Sequence, residues 1–223
     1  MTKTLTAAVL ATLLIAPVMA APVNNLIVNG SFEDTSSSAG EQTQAAGSWH
    51  VYGGLPGWVV NSGAGVEVRN NVAGTAFDRA SFIELDSHNN SAISQLLQTV
   101  AGVWYDLSLA YSARPGVNGP ANTNNVSLSW TGTTLDTLSG INNRGNHQWA
   151  TYTYRVLGTG HDTLKLWANG NNDSLGGSID AVSLTAVVAT ETRLTNQVPE
   201  PSSYALAGLA LLASALASRR RKA

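Results

Sequence analysis

Residues 103–112, Val103-Trp104-Tyr105-Asp106-Leu107-Ser108-Leu109-Ala110-Tyr111-Ser112, alternate strictly. Val103, Tyr105, Leu107, Leu109 and Tyr111 fall on one side, and Trp104, Asp106, Ser108 and Ala110 on the other. A period of two is that of a strand with one buried face, since successive side chains point to opposite sides of a sheet. Arg114-Pro115-Gly116 ends the run, because proline has no N–H for a ladder.

On both sides of this run the same signal recurs, and no helical period interrupts it between Asn24 and Ala189. Upstream, short β-rich runs are expected at Leu26–Val28, Trp49–Tyr52, Trp58–Asn61 and Gly65–Arg69. Ser81–Asp86 sets Ile83 and Leu85 against Phe82, Glu84 and Asp86. Ala92–Val100 fits both a helical turn and a strand, and is assigned as strand. Downstream, Val126, Leu128 and Trp130 alternate with serines, and Thr131-Gly132 starts a hairpin into Thr134–Leu138. Trp149–Val156, Leu164–Ala168 and Ile179–Val187 complete the set. Asn70–Arg79, Pro115–Asn125 and Asn169–Gly177 read as loops. Many short strands at this spacing predict an all-β sandwich.

Composition narrows the function. With 12% charged residues and a net charge of −2, the chain lacks the basic footprint that nucleic-acid binding requires. Cysteine is absent, so neither disulfides nor thiol chemistry enter. The four histidines, His50, His88, His147 and His161, show no zinc spacing and are expected in loops or at the surface. No GxSxG elbow occurs. Glu84 and Asp86 share a strand face, an arrangement open to glycosidase chemistry but common on solvated sheets. The chain is therefore read as a non-enzyme.

Both ends carry addresses. Lys3, the apolar run Leu5–Val18 and small residues near Ala20 have the pattern of a secretory signal peptide, cut after Ala20. At the other end stand Pro199-Glu200-Pro201, an apolar stretch Tyr204–Ala217, and Arg219-Arg220-Arg221-Lys222. The apolar stretch is expected to form a short transmembrane helix, its basic end on the cytoplasmic side. The expected organisation is a signal peptide at 1–20, a β-sandwich domain at 21–189, a linker at 190–198 and the tail at 199–223.

The order of the tail resembles the PEP-CTERM sorting signal of Gram-negative bacteria. That resemblance implies an exosortase-type processing enzyme as partner, transient anchoring in the inner membrane, and delivery to the cell surface or an exopolysaccharide matrix. In the body, Asn25 to Glu33, Leu55-Pro56-Gly57-Trp58, Ile93-Ser94-Gln95, Tyr105 to Pro115 and Gly176 to Leu184 occur in an order that resembles galactose-binding-like jelly-roll β-sandwiches, the DUF642 type above all. Carbohydrate-binding modules share that architecture. The resemblance implies first and last strands lying close together, with a structural Ca²⁺ between them. Glu33 and Asp180 are the residues here that could hold it, or could instead accept hydrogen bonds from turn amides.

Sugar binding needs flat apolar faces and polar groups beside them. Six tryptophans supply candidates. Trp130 and Tyr105 read as core by alternation, whereas Trp49 and Tyr52 lie in a loop-rich region and Trp104 shares a face with Asp106 and Ser108. Arg114 and Asn118 line the loop after the strand at 103–112. Trp49, Tyr52, Trp104, Arg114 and Asn118 are therefore the expected contacts to a polysaccharide or cell-wall glycan. The alternative is a structural or adhesive matrix protein without a sugar site, its aromatics wholly buried.

Overall fold

The computed structural model describes residues 24–36 and 43–187. All of the described residues belong to one compact unit. The expected signal segment, linker and PEP-containing tail, with both terminal helices, lie outside the described residues. Among those residues no helix is long and apolar enough to cross a membrane.

Two six-stranded antiparallel sheets face each other. The first has the order β1 (Ser48–Tyr52), β4 (Val66–Asn70), β5 (Ser81–Glu84), β12 (Ser178–Ala186), β7 (Trp104–Ser112), β10 (Ala150–Leu157). The second has the order β2 (Gly54–Leu55), β3 (Trp58–Ser62), β6 (Ala92–Gln98), β11 (His161–Ala168), β8 (Val126–Trp130), β9 (Thr133–Leu138). The core between them takes Tyr105, Leu107, Leu109 and Tyr111 from β7, as the alternation demands. Val66, Val68, Ile83, Ile179, Val182 and Leu184 join them from the first sheet, and Ile93, Leu97, Leu128, Trp130, Leu164 and Leu166 from the second. Ala92–Gln98 is a strand, so the ambiguous run resolves as assigned. Thr131 and Gly132, at φ +46° and +84°, make the tight turn between β8 and β9.

The expected first strand differs. Residues 25–30 form no regular strand, yet they sit where one was expected, beside β12. Leu26 N–H donates to Leu184 O (2.9 Å) and Val182 N–H to Gly30 O (2.9 Å). Toward the other sheet, the Gln95 side chain pairs with both backbone groups of Val28, accepting at 2.8 Å and donating at 3.0 Å. The Trp58 indole donates to Asn29 O. The segment is a seam joining the two sheets, and its ladder is replaced by side-chain partners from Asn25, Gln95 and Trp58. Gly30 is required there, because a Cβ would collide with Val182 O. At the far side the sandwich is closed by Tyr154 of β10, whose hydroxyl donates to Asp136 of β9 (2.8 Å), and by Trp130 donating to Leu157 O (3.0 Å).

Candidate functional site

The outer face of the first sheet carries charge and aromatic rings where a solvated sheet would carry threonine and serine. Register places Trp49 opposite Arg69, and Arg69 opposite Phe82. In the next row stand Val51, Glu67, Glu84, Ser178 and Ser112. Alternation explains this: Val66 and Val68 turn inward, so Glu67 and Arg69 turn out. Yet Glu67, Arg69, Phe82 and Glu84 are all buried, because loops fold over them. Thr75 O accepts from the Trp149 indole and from His147 Nδ1, at 2.9 Å each. Asp86 Oδ2 accepts from the amides of Asp173 and Ser174.

At the β1 end the cover is incomplete, leaving a cleft of about 450 Å³ lined by Trp49, Glu67, Arg69, Ser87, His88, Arg114 and neighbouring loop residues. Trp49 is 49% exposed and forms an aromatic wall. Glu84 lies beneath, 1% exposed. It accepts from Arg114 Nη1 (2.8 and 3.0 Å) and Gly176 N–H (2.7 Å), and forms an ion pair with Arg69 Nη2 at 3.2 Å. Arg69 also pairs with Glu67 at 2.5 Å. Burial pushes Glu84 up to about 7 against the pull of Arg69 and Arg114, with Glu67 adding to the rise. Among the described residues, Arg69 Nε, Ser87 Oγ and Asp86 Oδ1 are buried without a hydrogen-bond partner, and Glu67 Oε1 meets only its ion-pair partner Arg69 Nη2. Three of these four residues line the cleft. Such groups carry a standing cost until a water or ligand satisfies them.

Of the residues expected at a sugar site, Trp49 and Arg114 come together here. Tyr52 does not join them. It lies on the other face of β1, packs against the core, donates to Gln44 Oε1 (2.6 Å), and lines a separate hollow with Ser36, Gly54 and Pro56. Trp104 is 50% exposed, as its place opposite the core side chains implies. It opens β7, while Arg114 follows the strand's far end, roughly 30 Å away at ~3.3 Å per residue. Asn118 is exposed in the loop after β7.

Glu33 and Asp180 both serve the loop before β5. Glu33 Oε1 accepts from the amides of Ala80 and Ser81, and Asp180 Oδ2 from those of Phe77 and Asp78. Asp180 Oδ1 takes Ala181 N–H. This is the turn-amide role. Among the described residues no group of three or more His, Asp or Glu side chains is assembled to hold a metal ion.

Sequence reasoning missed Glu67, Arg69, Ser87 and His88. A signal was present: in Val66-Glu67-Val68-Arg69 opposite charges alternate with valines, which puts both charges on one face. That loops would bury this face could not be read locally. His50, His88 and His161 are exposed; His147 lies in a loop, as expected, but is buried there between Phe82 and Trp149, with ring centroids 4.6 Å from each.

The class of molecule is thus a two-sheet antiparallel β-sandwich with a partly covered, charged outer face. Residues 197–222 match the PEP-CTERM protein-sorting motif. Among curated proteins none matches the chain in sequence. Among solved structures, the Stig cyclase Fisc from Fischerella sp. TAU, in complex with an indole compound, is 16% identical with a TM-score of 0.51, over 74% of this chain and 98% of that one. TmCBM61 in complex with beta-1,4-galactotriose is 18% identical with a TM-score of 0.41, over 74% and 99%. A family 35 carbohydrate binding module from an environmental isolate is 20% identical with a TM-score of 0.41, over 60% and 88%. At these identities the likeness is one of fold. The DUF642 resemblance is carried by the sequence segments alone.

Proposed function

We propose that the protein is an exported, non-enzymatic glycan-binding protein, and that the cleft beside Trp49 is its binding site. The observation that carries this reading is the half-exposed indole of Trp49 standing over the Glu67–Arg69–Glu84–Arg114 network. A pyranose stacks its C–H face on an indole and needs fixed polar groups at its edge. The network provides them, oriented by ion pairs before any ligand arrives. The motif at residues 197–222 supports export, a tail handled by an exosortase-type enzyme, and residence at the cell surface or in an extracellular matrix. Glu84 has the raised pKa of a general acid, but it is enclosed by two guanidiniums and an amide, which favours binding over turnover.

The test is a polysaccharide-binding screen of the full chain. Trp49→Ala and Arg114→Ala should each weaken the best ligand about tenfold or more, the loss expected for a central contact. Trp104→Ala should leave affinity unchanged. A folded protein that binds no glycan would overturn the reading in favour of a structural matrix role.

A further inference from the structure

We propose that the cleft selects neutral glycans and turns polyanionic ones away, with Glu67 as the excluding residue; this rests on the glycan-binding reading above. Arg114 directs its side-chain hydrogen bonds to Glu84 and Ser174 O through Nη1 alone, so Nε and Nη2 remain as donors. Its side chain is 18% exposed. Beside it, Glu67 lines the same cleft as an acceptor whose oxygens take no hydrogen bond from any described residue, its one partner being the ion pair to Arg69. Arg69 Nε and Ser87 Oγ, an unpartnered donor and a hydroxyl, lie buried behind the cleft wall.

A cleft that offers donors and acceptors side by side suits hydroxyl groups, each of which donates and accepts at once. A carboxylate, sulfate or phosphate only accepts. It would satisfy Arg114 and then meet the Glu67 carboxylate in a poorly solvated space, where like charges repel strongly. The charge count points the same way. Arg69 and Arg114 are answered by Glu67 and by Glu84, which is only partly ionised at neutral pH, and Asp86, tied to the Ser174 amide of the rim, adds a third carboxyl. The cleft therefore lacks the large positive surplus that specific recognition of acidic chains requires.

The experiment titrates the full chain with neutral polymers (galactan, mannan, glucan) and with polyuronates (polygalacturonate, alginate), at low and raised salt. Wild type should bind at least one neutral polymer with an affinity that salt leaves unchanged, and polyuronates at least roughly tenfold more weakly. Glu67→Gln removes the charge while keeping the shape, and should narrow that gap severalfold by improving polyuronate binding. Polyuronates bound by wild type as well as or better than neutral polymers, with affinity falling as salt rises, would overturn this inference and leave the glycan-binding reading standing. A folded Glu67→Gln that discriminates as wild type does would overturn the role of Glu67. If no polymer binds, the glycan-binding reading itself fails. The wild-type panel decides between neutral and anionic ligands even if the variant folds poorly.

Discussion

His147 has both ring nitrogens engaged: Nδ1 meets Thr75 O and Nε2 meets Ser178 Oγ, each at 2.9 Å. A carbonyl only accepts, so Nδ1 carries the proton and Nε2 accepts from the serine. Burial, with Arg69 and Arg114 nearby, lowers its pKa to about 4 from the ordinary 6.5. A depressed pKa gives stability that is present above pH 6.5 and is lost as pH falls toward 4, by roughly 3 kcal/mol at ~1.36 kcal/mol per pH unit. Glu84 and Asp180, both raised to about 7 by burial, act in the opposite sense. Their contribution is present below the ordinary carboxylate range and is lost as pH rises through 7. His147→Gln keeps a donor and an acceptor but does not titrate. Urea unfolding at pH 7 and pH 4 should therefore show the advantage of wild type over this variant shrinking by roughly 3 kcal/mol on acidification. An advantage that does not change with pH would contradict the assignment. The sequence did not disclose this histidine, because its burial comes from Thr75, 72 positions away.

At the scale of elements, alternation was a good guide until a strand broke its own period. In β12, Ile179, Val182 and Leu184 are all core, although 179 differs in parity from 182 and 184. The register shifts between Asp180 and Ser183, and Ala181 takes φ +49°. This bulge is what sends Asp180 to the outer face, where it holds the loop before β5. Strict alternation from Val182 and Leu184 would put Asp180 in the core with them, and nothing in Asp180-Ala181-Val182 marks the extra residue. Left-handed backbone costs a residue with a Cβ about 1 kcal/mol that glycine does not incur. Ala181→Gly is thus expected to stabilise by about 0.5–1 kcal/mol, seen as a higher midpoint in thermal unfolding. A lower midpoint would mean that the alanine methyl contributes packing instead. The β7 pattern, by contrast, needed no correction, since a nine-residue strand in the middle of its sheet has one buried face throughout.

For the whole molecule, the two-sheet architecture and every strand but the two-residue β2 were legible, because each longer strand writes its own period. The cleft was only half legible. Trp49 and Arg114 could be named one by one, but their meeting depends on loops closing over β4 and β5. The seam at residues 25–30 was likewise misread as a strand, for the pairing that replaces its ladder is made by side chains such as Gln95. That single amide ties the seam to the second sheet through both backbone groups of Val28. Gln95→Leu fills the same space but leaves those groups unpaired, and a loss of about 2–3 kcal/mol in urea unfolding is expected. A loss below about 0.5 kcal/mol would show the seam to be held by its other contacts, those of Asn25, Leu26, Gly30 and Trp58.

The seam also sets an order of events. Residues 25–30, the first of the sandwich to be synthesised, find their partners in β12, the last; Asn25 and Leu184 are 159 positions apart. A growing chain cannot close this contact early, however long it waits. Ribosomal delivery runs in one direction and the final clasp is available only at its end. Distant pairings of this kind make folding slow, because a long loop must be closed before any contact rewards it. The sandwich thus stays open for as long as the chain is being threaded, and locks when its last strand arrives.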